Sequence, residues 1–259
     1  MNQRVPILVY HHVYRDDDPD LNGPTGNKAT GKISESEFRS HISYLAEGGW
    51  QVISTTDVVD WIEYDKPLPK KAVVLHFDNG WLDTWSISMP ILRDLGMTGT
   101  CYVISEGTEA ASHGLPAAIR TSTEGAVQKP CITWQQTEEL LVEGWEIGAH
   151  TATHPKLVVV QEKNGDEAVL EEINRSNKAY EANLGFVPKH FAYPSGSRNY
   201  RTDSLLKPIY KSLRLWNFSN PPKWSFTHKA TSPHALECQN IDNTVQYRDF
   251  TRIFEEAVT

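Results

Sequence analysis

Four short apolar runs in this chain end on residues that can do acid–base or metal chemistry. Val5–Tyr10 leads into His11-His12, and Ala72–Phe77 leads into Asp78-Asn79-Gly80. Trp145–Ala149 leads into His150-Thr151-Ala152-Thr153-His154, and His190–Tyr193 leads into Pro194-Ser195-Gly196. A lone His at a strand end is more often a hydrogen-bonded structural residue than a ligand, and H-x-x-x-H is weak evidence by itself. Its two imidazoles meet on one face if the segment forms a helical turn, which suits a divalent ion such as zinc. Asp78-Asn79 supplies oxygens: one side chain can ligate while its neighbour stays free as a base. Two His and one oxygen leave positions open for water and substrate. That is the donor set of metal-assisted hydrolysis, in which the ion polarises a carbonyl and lowers the pKa of water toward ~7.

The elements that must carry these residues read as alternating strands and helices. Further apolar runs are Gln51–Ser54, Gly99–Ile104 and Leu213–Phe218. Several are continuous, the pattern of buried parallel strands. Ser34-Glu35-Ser36-Glu37 is a capping box ahead of Phe38, Ile42 and Leu45, and Thr133 with Gln136 repeats the device. Asp166–Leu184 carries Leu170, Ile173, Tyr180 and Leu184 at helical spacing, and Phe250, Ile253 and Phe254 suit a closing helix. Repeated strand–helix units with short links predict one α/β domain over residues 1–259, a distorted parallel (β/α) barrel of seven strands. Asp16–Lys32 and Glu106–Cys131 break the alternation. Both follow strand C-terminal ends, where parallel barrels place their chemistry, and each reads equally as a functional loop or a solvated insertion.

Composition removes whole classes of function. The 259 residues are 39% hydrophobic, enough for a large core, which excludes intrinsic disorder. With 25 Lys+Arg against 33 Asp+Glu the net charge is −8 and there is no basic run, so nucleic acid is not an expected partner. No stretch approaches the ~20 apolar residues that span a bilayer, so a soluble protein is expected. The N-terminus reaches a strand at once without a charged-then-apolar leader, so the expected compartment is cytoplasmic, or extracytoplasmic if a leader has been trimmed. Cys101, Cys131 and Cys238 are widely spaced with no C-x-x-C pair and read as structural.

Taken together, the motifs resemble those of the polysaccharide deacetylases of carbohydrate esterase family 4, the NodB-homology domain. His76-Phe77-Asp78-Asn79-Gly80 is similar to the family's T-F-D-D-G, and His150-Thr151-Ala152-Thr153-His154 matches H-[ST]-x-x-H. Phe191-Ala192-Tyr193-Pro194-Ser195-Gly196 is close to the F-A-Y-P-Y-G form. Ile7-Leu8-Val9-Tyr10-His11-His12-Val13 is similar to the Y-H-x-V start of the branch that includes the poly-β-1,6-N-acetylglucosamine deacetylases. In that branch the motif order is permuted and the N-terminal His is the acid. The resemblance covers roughly residues 5–200 and implies a divalent metal, zinc first, with cobalt or nickel as alternatives. It implies Asp78 as general base, His150, His154 and Asn79 as metal ligands, and His11 as general acid. The Ser195 N–H would stabilise the oxyanion and Tyr193-Pro194 would shape the acetyl pocket. Rings that stack on sugars are sought among Trp81, Trp85, Trp134, Trp216 and Trp224, with Trp81 and Trp216 foremost.

The chain departs from the family pattern at defined places. Asn79 replaces an Asp, which removes a negative charge and predicts weaker metal binding. His76 replaces Thr and reads as a packed residue or a compensating ligand. Ala192 stands where many members place an Arg that orients the base. No D-x-x-x-W and no L-x-L-x-H occurs near the end, where His228 and His234 are the weaker alternatives for the acid. Three readings of function follow: an N-deacetylase of amino sugars in a polysaccharide or peptidoglycan, an O-acetyl esterase of sugar polymers, and a sugar-binding relic disabled at Asn79. A cyclic-amide hydrolase is a distant fourth.

Overall fold

A computed structural model describes residues 3–22, 31–121, 125–215 and 224–258; the Trp216 position lies outside them. The first half runs β1 (Arg4–Val5), β2 (Ile7–Tyr10), β3 (His12–Tyr14), α1 (Pro19–Asn22), β4 (Lys32–Ser34), α2 (Glu35–Glu47), β5 (Gln51–Val52), α3 (Thr55–Tyr64), β6 (Ala72–Asn79) and α4 (Met89–Arg93). It continues through β7 (Thr100–Val103), α5 (Ser105–Ser112), β8 (Ile119–Thr121), β9 (Gly125–Val127), α6 (Trp134–Val142), β10 (Glu146–Ala149), α7 (Leu157–Asn164) and α8 (Asp166–Leu184). The rest is β11 (His190–Ala192), α9 (Tyr200–Leu206), β12 (Ser212–Arg214), β13 (Thr227–His228), β14 (Gln239–Asn240) and α10 (Tyr247–Ala257).

Seven strands form a curled parallel sheet in the order β12-β11-β10-β7-β6-β2-β14. A parallel bridge from Arg214 to Leu236, just ahead of β14, ties the two ends of the sheet together. The result is the distorted (β/α) barrel expected from the strand–helix alternation. One strand of the seven is different from the expected set. Gln51–Val52 pairs only outside this path, against β6, and the seventh place is taken by β14, whose two residues carry no apolar run.

The helix signals hold at the residue level. Capping boxes at Ser34 with Glu37 and at Thr133 with Gln136 start α2 and α6, each satisfying N–H groups that the first helical turn leaves orphaned. Phe250, Ile253 and Phe254 are the buried face of α10. On α8 the buried residues are Val169, Glu172, Ile173, Ser176 and Tyr180, so Leu170 and Leu184 lie at the edge of that face. The segment Glu106–Cys131 is a correction: it is not one long loop but helix α5 followed by the antiparallel hairpin β8–β9. No helix among the described residues is long and apolar enough to cross a membrane.

Candidate metal and acid–base centre

Strand register brings the chemical residues to one level. Asp78 pairs with Tyr102, Asn79 with Val103, Val103 with Ala149, Ala149 with Phe191, and Ala192 with Arg214. Tyr10 pairs with Phe77, so His11 leaves β2 beside Asp78. His150 follows Ala149 directly. All of these stand at the C-terminal ends of parallel strands, where successive side chains can converge without crossing the core.

Asp78 is buried and held by a residue from the far side of the barrel. The Arg214 Nη2 donates to both carboxylate oxygens, at 2.6 and 2.5 Å, and the two side chains are only 1% and 4% exposed. Burial alone would raise the Asp78 pKa. The charge and hydrogen bonds of Arg214, helped by the proximity of His150 and His11, instead hold the carboxyl well below the usual range. Arg214 is the residue that sequence reasoning missed. Its signal was a single cation inside the apolar stretch Leu213-Arg214-Leu215, next to the strand where the family's arginine is absent.

His150 and His154 are prepared as neutral donors. The Nδ1 of His150 lies 2.8 Å from the Ala192 carbonyl, and that of His154 lies 2.8 Å from the Arg120 carbonyl. A carbonyl only accepts, so each Nδ1 carries the proton and each Nε2 keeps its lone pair. The ring centroids are 4.8 Å apart. Burial pushes His150 down to about 3 and His154 below its ordinary value, which keeps both rings neutral and able to ligate. The loop between them is braced: Thr151 Oγ1 accepts from the His154 N–H, and Glu172 accepts from the Thr153 N–H and hydroxyl. Arg120 belongs to the β8–β9 hairpin, so the inserted segment supports this loop.

Asn79 lies at the end of β6, beside Asp78. Asn79 Oδ1 is buried and has no hydrogen-bond partner among the described residues, an arrangement that costs roughly 1–3 kcal/mol unless something binds there. No three His, Cys, Asp or Glu side chains cluster to hold a metal among the described residues. The donor chemistry of two neutral imidazoles and one amide oxygen is of the kind that a divalent ion accepts. Backbone strain gathers at the same place. Among the described residues, four of the five non-glycine positions at positive φ are Asn79, Thr151, His154 and Ser195. Left-handed non-glycine residues persist only where surroundings enforce them, and they concentrate at functional sites.

His11 faces Asp78, its Nε2 3.8 Å from Asp78 Oδ2 and its side chain 17% exposed. Gly31 passes behind the ring at φ +71°; a Cβ there would sit 3.1 Å from His11 Cγ. Burial lowers His11 to about 4. His12 points the other way, as alternation along a strand requires. Its Nδ1 meets Asp83 at 2.7 Å, and its ring stacks on Trp81.

The remaining sequence candidates fall into place around this centre. Ser195 lies in the turn Pro194–Gly196 at φ 55°, and its N–H is left out of the two turn bonds made by Gly196 and Ser197. Pro194 is buried in that turn. The Tyr193 ring packs edge-on against Phe191, and its hydroxyl donates to Asp203 at 2.7 Å, so this side chain braces the turn from inside. Trp81 is 1% exposed and is a wall under His12, with no open face for a sugar. His76 is buried within the barrel with Nε2 3.0 Å from Thr55 Oγ1, and serves packing. His228 pairs with Arg4 on β1, and His234 Nε2 lies 3.2 Å from the Tyr210 carbonyl. Both are at the N-terminal ends of the barrel strands, away from Asp78.

Comparison with known proteins agrees with the fold. The chain is 23% identical to the Bacillus subtilis (strain 168) protein YxkH over 201 residues, 77% of this chain and 59% of that protein. It is 23% identical to the poly-β-1,6-N-acetyl-D-glucosamine N-deacetylase of Staphylococcus aureus (strain MRSA252) over 209 residues, 78% of this chain and 64% of that protein. The chain therefore spans about three-fifths of the length of these relatives. Its fold matches the Streptococcus pyogenes deacetylase PplD with a TM-score of 0.76, at 20% identity over 97% of this chain and 98% of that one. It matches IcaB from Ammonifex degensii with a TM-score of 0.75, at 19% identity over 99% and 98%. The polysaccharide deacetylase family model matches residues 65–209, more than half of the sequence and the part that holds Asp78, Asn79, His150, His154 and Ser195. The chain belongs to the polysaccharide deacetylase family.

Proposed function

We propose that this protein is a metal-dependent hydrolase that removes acetyl groups from N-acetylated amino sugars of a polysaccharide. The observation that carries the reading is the Arg214–Asp78 pair standing beside two imidazoles, His150 and His154, whose Nδ1 atoms face carbonyls, and beside Asn79 Oδ1, which has no hydrogen-bond partner among the described residues. These three would hold a divalent ion, zinc first among candidates, and that ion would polarise the acetyl carbonyl and acidify water. Asp78, kept anionic by Arg214, accepts a proton from the attacking water. The Ser195 N–H is aimed by its strained turn and takes the carbonyl oxygen's growing charge. The proton removed from water is the one the leaving nitrogen needs. His11, 3.8 Å from Asp78, is the group placed to carry it. Burial keeps His11 neutral in the resting site, so it can take up the proton before passing it on.

The relic reading is disfavoured by the same pair. A buried carboxylate and guanidinium are expensive to desolvate, and a site retired from catalysis has no use for them. Acetate release from N-acetylated glucosamine oligomers, acetylated xylan and peptidoglycan, with and without added zinc, tests the proposal. Zinc-dependent release from the amino-sugar oligomers is expected. Release from xylan alone would make the protein an O-acetyl esterase, and none from any substrate would return the relic.

A further inference from the structure

Asp78 has Tyr102 as its register partner on β7, and Tyr102 has Gly148 as its partner on β10. Register partners point to the same face of a sheet, so all three Cβ positions aim into the barrel. The Tyr102 ring lies across Gly148: a Cβ built there would be 2.4 Å from Tyr102 Cδ1 and Cε1, closer than any packed carbon tolerates. Only glycine lets the ring lie down. Above it, the Arg214 guanidinium carbon is 5.1 Å from the ring centroid. A cation at that distance over a desolvated aromatic face gains more than it would in water.

We infer that Tyr102, seated on Gly148, is a positioning residue that holds Arg214 against Asp78 and so fixes the base. Two further observations single out the ring. The Tyr102 hydroxyl makes no well-formed hydrogen bond among the described residues and interacts only with the Thr55 side chain, away from Arg214, so what the side chain offers the guanidinium is its aromatic face. The Arg214 Nε has no hydrogen-bond partner among the described residues. The guanidinium is therefore located by its two bonds to Asp78, by a 3.0 Å bond to the Leu215 carbonyl, by a 3.6 Å contact with Cys238 Sγ, and by the ring. The His76 ring meets Tyr102 edge-on at 4.9 Å and keeps it from sliding, which gives the family-breaking histidine a place in the same stack. This inference rests on the reading of Asp78 as base.

The test is a double-mutant cycle on the zinc-loaded full chain, with Tyr102→Leu, Arg214→Met and the pair, read as kcat and KM for acetate release from a β-1,6-linked N-acetylglucosamine oligomer. Tyr102→Leu is expected to lower kcat about tenfold or more while KM and zinc affinity stay near wild type, since small misplacements of reacting groups cost rate steeply. Tyr102→Phe restores most of the lost rate. In the Arg214→Met background the leucine change should cost nothing further. Equal losses in both backgrounds, or full rate in Tyr102→Leu, would overturn the inference. A crystal structure of Gly148→Ala decides the matter without activity or if the leucine variant does not fold. The ring should tilt and Arg214 should lose at least one bond to Asp78; an unchanged pair contradicts the proposal. Failure of the base reading looks different, because Asp78→Asn would then work at full rate whatever becomes of the stack.

Discussion

Ala192 and Arg214 are register partners on adjacent strands β11 and β12, and the guanidinium of the second reaches both carboxylate oxygens of Asp78. Arg214→Ala should therefore slow deacetylation by about 10²-fold through misplacement of the base. The double variant Ala192→Arg/Arg214→Ala should recover part of that rate by offering the cation from the neighbouring strand. Steady-state kinetics of the three proteins check this. A double variant slower than the single one would show that the two positions are not interchangeable.

Asn79→Asp should tighten zinc binding by about tenfold or more, roughly 1.4 kcal/mol, because a carboxylate replaces a neutral amide whose Oδ1 has no partner. The rate need not rise, since a second anion weakens the ion as a Lewis acid and perturbs Asp78. Calorimetric titration of metal-stripped wild type and variant reads the effect. Equal affinities would remove Asn79 from the donor set.

His11→Ala should lower kcat by about 10²–10⁴-fold and leave zinc affinity near that of wild type, because His11 faces Asp78 from β2 while the donors stand on β6 and after β10. His150→Ala should lose the metal. The same metal loss in both variants would make His11 a ligand.

Acid stability should carry the mark of His41. Its ring is stacked on Phe250 with centroids 3.7 Å apart, its Nδ1 is 3.3 Å from the Tyr10 hydroxyl, and burial lowers it to about 3. The folded state thus refuses a proton that the unfolded chain takes near pH 6.5. Its contribution to stability is complete above pH 6.5 and is lost as pH falls from there toward 3, by up to about 1.4 kcal/mol per pH unit. Urea unfolding of wild type and His41→Gln at pH 7 and pH 4.5 should show a shallower fall in the variant. Parallel losses in the two proteins would contradict this.

The barrel and the convergence of His11, Asp78 and His150 at its C-terminal end were legible because both are written locally. Apolar runs end on His11, Asp78 and His150, and capping boxes at Ser34 and Thr133 mark the helices between. What stayed hidden depends on register across the closed sheet. Arg214 meets Asp78 at a separation of 136 residues, and no local pattern announces that meeting. β14 was missed because two residues cannot show a period, and Glu106–Cys131 because its helix is made mostly of small residues and its hairpin strands are three residues each. Trp81 and Tyr193 are large amphipathic side chains that suit a sugar platform and a core equally. The structure spends them on His12 and Asp203.

The most direct test of the whole account is acetate release from a β-1,6-linked N-acetylglucosamine oligomer by zinc-loaded wild type and Asp78→Asn, with zinc content measured on both. The account predicts zinc-dependent release by wild type and a loss of about 10²–10⁴-fold in the variant with its zinc retained, since only the proton acceptor has been removed. Wild-type turnover by zinc-loaded Asp78→Asn would contradict it.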